Sequence, residues 1–265
     1  MANEVKEDPG YPDDATGRLE LIWGEGFLSP GGPAEISRLL GGRDIPGRDV
    51  LDIGSGIGGV DIVLVRDYGA GTVVGIDVEK RLVDLAADRS RKLHLDDRIK
   101  YQMVEPGPLP FKDNSFDVVF SKDAIIHVKK KEDIYAEALR VLRPGGQLLV
   151  SDWLRGEGDS IAPLVQEFIA ASGHDFTLVS LRDIGEIVKK LGFVEIDLED
   201  RQAWYLGEAI AELQKLRGPL NHQFVERWGE KPTQDEIAFW EVLVAALKGG
   251  AMRPGHIRAR KPVNA

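Results

Sequence analysis

The chain has 265 residues, 43% of them hydrophobic, which suits one globular domain with additions or at most two small ones. A formal net charge of −10 argues against a general nucleic-acid or anionic-membrane partner. The absence of cysteine excludes disulfides, thiolate metal sites and cysteine nucleophiles, and no apolar run is long enough to span a bilayer.

Taken in order, residues 1–14 are acidic and hold no apolar signal core, so a cytoplasmic location is expected. Asp13 or Asp14 is a plausible N-cap for a helix ending near Trp23. The glycines and prolines of 24–32 mark a loop, and a helix over 33–40 follows. The stretch 1–45 is too long for a tail; a lid or cap is its natural use. From 49 to 198 strands and helices alternate. Apolar, β-branched runs predict strands over 49–53, 72–77, 99–104, 116–121, 147–153 and 193–198, each buried on both faces. Helices are predicted over 60–68, 81–93, 131–142 and 181–191. The alternation predicts a doubly wound, mostly parallel α/β sheet, with ligands beyond the carboxyl ends of its strands. After 198 come helices over 201–217 and 234–247, then a short strand over 256–261. That last strand is expected antiparallel, closing a seven-stranded sheet. The organisation is thus one domain: a cap (1–45), a core (46–200), a helical insertion (201–252) and a final strand (253–265).

The sheet is organised around Val50-Leu51-Asp52-Ile53-Gly54-Ser55-Gly56-Ile57-Gly58-Gly59, a strand ending in a glycine-rich turn that opens a helix. A backbone without Cβ turns sharply and lets a ligand approach, and the helix offers its free N–H groups there. Gly54, Gly56 and Gly59 satisfy the dinucleotide pattern G-x-G-x-x-G, with Asp77 at the end of the second strand. Asp52 instead favours S-adenosylmethionine: an acid two residues before the first glycine pairs with a cationic amino end but repels a pyrophosphate. A ligand-free turn, with Asp52 merely capping the helix, is the remaining alternative.

Further motifs accompany this turn. Val74-Gly75-Ile76-Asp77 sets a carboxylate where a ribose diol would lie; Leu109-Pro110-Phe111 precedes Asn114-Ser115-Phe116-Asp117; and Val141-Leu142-Arg143-Pro144-Gly145-Gly146 joins a helix to a strand. Over about 35–200 this set resembles the class I S-adenosylmethionine-dependent methyltransferases, which implies a Rossmann-like fold. Tyr11, the run from Glu20 to Gly32, and Phe120-Ser121-Lys122-Asp123-Ala124-Ile125-Ile126-His127 extend the likeness to nearly the whole chain. They resemble the phosphoethanolamine N-methyltransferases. That resemblance implies a catalytic latch of Tyr11 with His127, and Asp123 facing the substrate amine. It also implies cofactor contacts at Leu28, Ser29, Asp52, Gly54, Ser55, Gly56, Asp77, Val78, Glu105 and Ser121. Glu105 replaces a commoner aspartate. The family's phosphate clamp falls on Ala170, His174 and Phe176, with its late lysine near Leu243, so the clamp is missing or rebuilt. Arg155, Arg253, Arg258 and Arg260 are possible replacements.

The chemistry follows from the acceptor. An ammonium has no lone pair, so an amine must lose a proton before it is methylated. His127 suits that task, since an imidazole titrates near about 6.5; a hydrogen-bonded histidine at a strand end is the alternative. Asp123 could orient the amine or serve a turn. Trp153, Trp204, Tyr205 and Phe176 suggest an aromatic wall for a cation, with His174 a further substrate-binding candidate, whereas Trp228 and Trp240 read as core. Lys129-Lys130-Lys131 reads as a solvated turn. The histidines are too scattered for a metal site, and none is expected.

Three functions fit. One is N-methylation of a small amine, either phosphoethanolamine-type or glycine/sarcosine-type, with S-adenosylhomocysteine as the other product. The others are O-methylation of a small metabolite and a non-catalytic cofactor-binding module. A small molecule is the expected partner, with no nucleic acid or membrane, for a monomer or weak homo-oligomer.

Overall fold

The computed structural model describes residues 14–158 and 162–264; Tyr11 lies outside them. Its sheet contains β1 (Asp49–Ile53), β2 (Thr72–Asp77), β3 (Ile99–Met103), β4 (Phe116–Lys122), β5 (Leu142–Asp152), β6 (Val194–Asp200) and β7 (Gly255–Arg260). The order across it is β3-β2-β1-β4-β5-β7-β6. The first five strands pair in parallel, whereas β7 runs antiparallel to both β5 and β6. The final strand is therefore inserted between its two neighbours rather than added at an edge. Central strands carry the continuous apolar runs: Val50, Leu51, Val118, Val119, Phe120, Leu148, Leu149 and Val150 are fully buried. Edge strand β6 is mostly exposed, as one-sided burial of an edge requires.

Helices cover both faces. Tyr135, Ala138 and Val141 of α5 (Lys131–Val141) join Ile184 and Val188 of α7 (Leu181–Leu191) in one core. Ile36, Leu39 and Leu40 of α2 (Gly32–Leu40) join Ile62–Val65 of α3 (Gly59–Arg66) in the other. Helix α4 (Lys80–Lys92) flanks β2 and β3. The remaining helices are α1 (Ala15–Trp23), α6 (Pro163–Ser172), α8 (Gln202–Arg217), α9 (Asn221–Trp228) and α10 (Glu230–Lys248). They form two further apolar clusters, one of which takes in Ile126 and Trp153 just beyond the ends of β4 and β5.

Charged groups fasten this cap to the sheet. Glu35 of α2 is 1% exposed, and accepts hydrogen bonds from Arg201 at 2.7 and 3.1 Å and pairs with His256 of β7 at 2.8 Å. Burial pulls its carboxyl up, but His256 and Arg201 outweigh it and hold the group below the usual carboxylate range. Glu212 of α8 accepts from the indoles of Trp23 and Trp240, at 2.7 and 3.0 Å, joining α1, α8 and α10.

Helices α6 and α9 have no counterpart in the sequence pattern, and α10 begins four residues before the predicted 234. Lys131, expected in solvent, is 2% exposed and donates to the Ile125 carbonyl.

Candidate active site

The site assembles where β1, β2, β4 and β5 end. Gly54 has φ +78°, and a Cβ there would sit 2.1 Å from Cβ of Ala124, so only glycine turns the chain under the β4 loop. The amides of Gly54 and Ser55 donate to the Ile76 carbonyl at 2.8 and 3.0 Å. Gly56 N–H donates to Asp77 Oδ2 and Glu79 N–H to Oδ1, both at 3.0 Å, which fixes the Asp77 carboxylate against the turn. Burial nonetheless raises its pKa, with those backbone bonds opposing. Leu28 of the cap packs on Gly56, 3.3 Å from where a Cβ would be. Gly59 serves the cap instead of an open turn: its amide donates to Gly26 O at 3.0 Å. The start of α3 has no side-chain cap, so Asp52 does not cap it.

Asp52 is 1% exposed and Ser55 6%, and neither their carboxylate oxygens nor the Ser55 hydroxyl has a hydrogen-bond partner among the described residues. Asp61 of α3, fully buried, faces Asp52 and shares this orphan state. Burial pushes Asp52 up to about 7. Two such carboxyl groups share a proton more readily than they both ionise. Orphaned buried acceptors beneath a glycine turn fit the cationic amino end of S-adenosylmethionine. Val78 and Met103, at 53% and 41% exposed, leave an apolar border at the ends of β2 and β3, and Glu105 lies exposed beyond it. The Ser121 hydroxyl is committed to the Ile53 carbonyl at 2.8 Å, and the residue is fully buried at the end of β4.

His127 ends a short 3₁₀ turn, Ile125–His127, after β4. Its ring meets Phe176 edge-on at 4.9 Å and His174 at 5.4 Å. Phe176 stacks on Phe168 at 5.8 Å, Phe168 on Trp153 at 6.2 Å, and Trp153 meets Tyr205 at 4.9 Å. His127, His174 and Phe176 thus form one aromatic surface, linked through the buried rings of Phe168 and Tyr205 to the partly buried Trp153 and Trp204. Thr177 N–H donates to Ile126 O at 2.9 Å and fastens the segment carrying His174 and Phe176. Beneath the turn, Asp152 Oδ1 accepts from Ile126 N–H at 3.1 Å, and burial raises this carboxyl to about 7.

The four arginines are not brought to this surface. Arg155 pairs with Asp183, Arg253 with Asp200, Arg258 with Asp197 and Glu199, and Arg260 with Glu195. Leu243 is buried in the apolar cluster with Ile126 and Phe168. Sequence reasoning also missed Asp61, whose place in an apolar helix gave no sign of a carboxyl neighbour, and Lys122. Asp123 is not open: its side chain is 1% exposed and ion-paired with Lys122 at 2.7 Å. No group of three or more metal-binding side chains occurs among the described residues.

Residues 51–150 match the family model described as Methyltransferase domain, and the strand order above is that of the class I methyltransferase Rossmann-like fold. Among its relatives, phosphoethanolamine N-methyltransferase 1 of Arabidopsis thaliana is 28% identical over 232 residues, 87% of this chain and 46% of that protein. The phosphoethanolamine N-methyltransferase of Plasmodium falciparum is 26% identical over 261 residues, 96% of this chain and 94% of that protein. The structure of Haemonchus contortus phosphoethanolamine N-methyltransferase 2, in complex with phosphomonomethylethanolamine and S-adenosylhomocysteine, aligns with a TM-score of 0.87 at 28% identity. That alignment covers 95% of this chain and 58% of the other. The chain spans about half the length of the plant relatives it matches.

Proposed function

We propose that this chain is an S-adenosylmethionine-dependent N-methyltransferase acting on a small amine of the phosphoethanolamine type, as one catalytic unit with its cap and insertion. The observation that carries the reading is the aromatic surface around His127, set beside the glycine turn in a chain matching 94% of the Plasmodium protein.

Asp52, Gly54, Ser55, Gly56, Asp77 and Val78 would hold the cofactor from the sheet side, with Leu28 and Ser29 from the cap and Glu105 and Ser121 at the borders. When bound, S-adenosylmethionine supplies a methyl group on a sulfonium and so carries its own activation. The protein's tasks are alignment, exclusion of water and removal of the acceptor's proton. His127 accepts that proton, directly or through one water. Tyr11, beyond the described residues, would close over it. Phe176, Trp153 and His174 offer ring faces to the acceptor's cationic end, an attraction that survives as N–H groups are replaced by methyls. The partner in this reading is a small molecule and the location cytoplasmic, for a monomer or weak homo-oligomer; no helix among the described residues is long and apolar enough to cross a membrane.

A second reading, an amine without phosphate such as glycine or sarcosine, is favoured by one observation. Ala170, Phe176 and Leu243 carry no cation, and the four candidate arginines are paired elsewhere. Release of S-adenosylhomocysteine, followed by mass spectrometry with phosphoethanolamine and its mono- and dimethyl forms, tests the first reading. Turnover on glycine or sarcosine alone selects the second, and turnover on no amine overturns both.

A further inference from the structure

Strand β4 runs one residue past its apolar pattern and ends on Lys122, whose side chain is 2% exposed. A buried ammonium is tolerated when its three N–H groups find acceptors. Here they find Ser29 Oγ at 2.7 Å, the Pro30 carbonyl at 2.8 Å and Asp123 Oδ2 at 2.7 Å. Two of these belong to the cap loop. Asp123, at φ +56°, is held in place from the other side. Its amide donates to Ser151 O at 2.7 Å, its Oδ1 accepts from the Tyr205 hydroxyl at 3.1 Å, and Ser151 Oγ stands 3.4 Å away. One ion pair therefore joins the cap loop, β4, β5 and helix α8 of the insertion.

We infer that Lys122 is a positioning residue that takes Asp123 out of acceptor recognition and uses it to lock the cap loop and the insertion across the site. The inference rests on the functional reading above for the identity of the ligands, and deepens it. An acceptor ammonium would have to displace an ammonium already tethered beside the same carboxylate, which acts at a high effective concentration. The pair is also neutral as a whole, so it leaves little field to attract a second cation. Recognition of the acceptor's charge then falls to the ring faces around His127. Lys122 sets Ser29, and through the adjoining backbone Leu28, against the glycine turn.

The test uses the full chain in five forms: wild type, Lys122→Met, Lys122→Arg, Asp123→Asn and the double variant Lys122→Met/Asp123→Asn. The double variant carries no lone buried charge and guards against a single variant that fails to fold. S-adenosylhomocysteine affinity is measured by calorimetry, amide hydrogen exchange is followed over 27–31, and KM is measured for the amine acceptor. Loss of the latch should weaken S-adenosylhomocysteine binding by about tenfold or more in Lys122→Met, Asp123→Asn and the double variant alike, because the two groups act as one unit. Exchange over 27–31 should accelerate in the same three proteins without any ligand. Lys122→Arg, which keeps a cation on Asp123, should recover most of the affinity. The inference is overturned if Asp123→Asn raises only the acceptor KM, with cofactor affinity and exchange unchanged, for then Asp123 is the acceptor's counter-ion. It is equally overturned if exchange in the double variant matches wild type. Wild-type protein that binds no S-adenosylhomocysteine would sink the functional reading, while the exchange comparison would still decide the latch.

Discussion

The amide of Gly59 donates to the carbonyl of Gly26 at 3.0 Å, backbone against backbone, at the point where the cap loop meets the first turn of α3. A helix start normally leaves its first N–H groups to water, a side chain or a ligand. Here one of them is taken by the cap. Arg89 of α4 reinforces the contact by pairing with Glu20 and Glu25 at 2.6 and 2.9 Å, while Glu20 also accepts from Gly26 N–H at 2.6 Å.

Gly59→Ala tests this contact cleanly. Gly59 has no left-handed φ, so alanine meets no backbone strain. Its Cβ would instead lie 2.2 Å from Gly26 O, an atom that cannot swing aside. We expect a loss of about 1–3 kcal/mol in thermal or chemical unfolding, in the range of overpacked interiors, together with weaker cofactor binding as Leu28 and Ser29 shift. Unchanged stability and affinity would show that the cap yields without cost.

Gly207 provides the opposite case. It lies exposed within α8, with ordinary φ and no atom within 4 Å of an added Cβ. Gly207→Ala should stabilise the protein by about 0.5–1 kcal/mol, because alanine restricts the unfolded chain and fits the helix. Calorimetry should show Tm rising by about 1–3 °C, with turnover unaffected. A lower Tm would mean that α8 needs room at this turn.

The same contrast between local and remote causes explains what the sequence made legible. Strands β1 and β2 match their predicted limits, since apolar runs buried on both faces and ended by Gly54 or Asp77 declare themselves locally. Helix α10 starts at Glu230, ahead of the predicted 234, and takes Pro232 into its first turn, where the missing N–H costs nothing. Helices α6 and α9 are short, and neither has a side-chain cap bond to announce its start. The glycine turn and the order of strands put Asp52, Asp77 and His127 at or just beyond the carboxyl ends of the neighbouring strands β1, β2 and β4. The pairing of Lys122 with the cap could not be read, because lysine is rarely buried and its partners lie 92 and 93 positions away.

The Asp52–Asp61 pair gives stability a pH dependence of known sign. Burial raises both carboxyl groups, Asp52 to about 7; the charge of Lys122 opposes this at Asp52, while the charge of Asp77 adds to it. In the unfolded chain both titrate near about 4. Between these values the folded protein holds protons that the unfolded chain has released, so stability falls as pH rises through the window and levels above the folded pKa. In Asp61→Asn the amide can donate to Asp52 and one titrating group is gone. Its stability should improve relative to wild type as pH is raised from about 5 to 8 in parallel unfolding series. Asp77, Lys122 and Tyr101 face the pair in both proteins, so the difference isolates the pair. A difference that stays flat with pH would show that the two carboxyl groups do not share a proton.

Phe176 and His127 touch at 4.9 Å but are assigned different tasks, and kinetics separates them. Phe176→Ala removes a ring face, so the acceptor KM should rise by about 2–30-fold, the range of a cation on an aromatic face, with cofactor affinity preserved. His127→Ala removes the group that takes the acceptor's proton. Its kcat should fall by about 10²–10⁴-fold, with little change in S-adenosylhomocysteine affinity. Raising the pH should partly restore turnover, because a larger share of the amine then arrives already neutral. A histidine that only braces the 3₁₀ turn would give a different pattern: lower Tm, loss of cofactor and acceptor binding together, and no rescue at high pH. Full turnover by His127→Ala would remove it from the chemistry altogether.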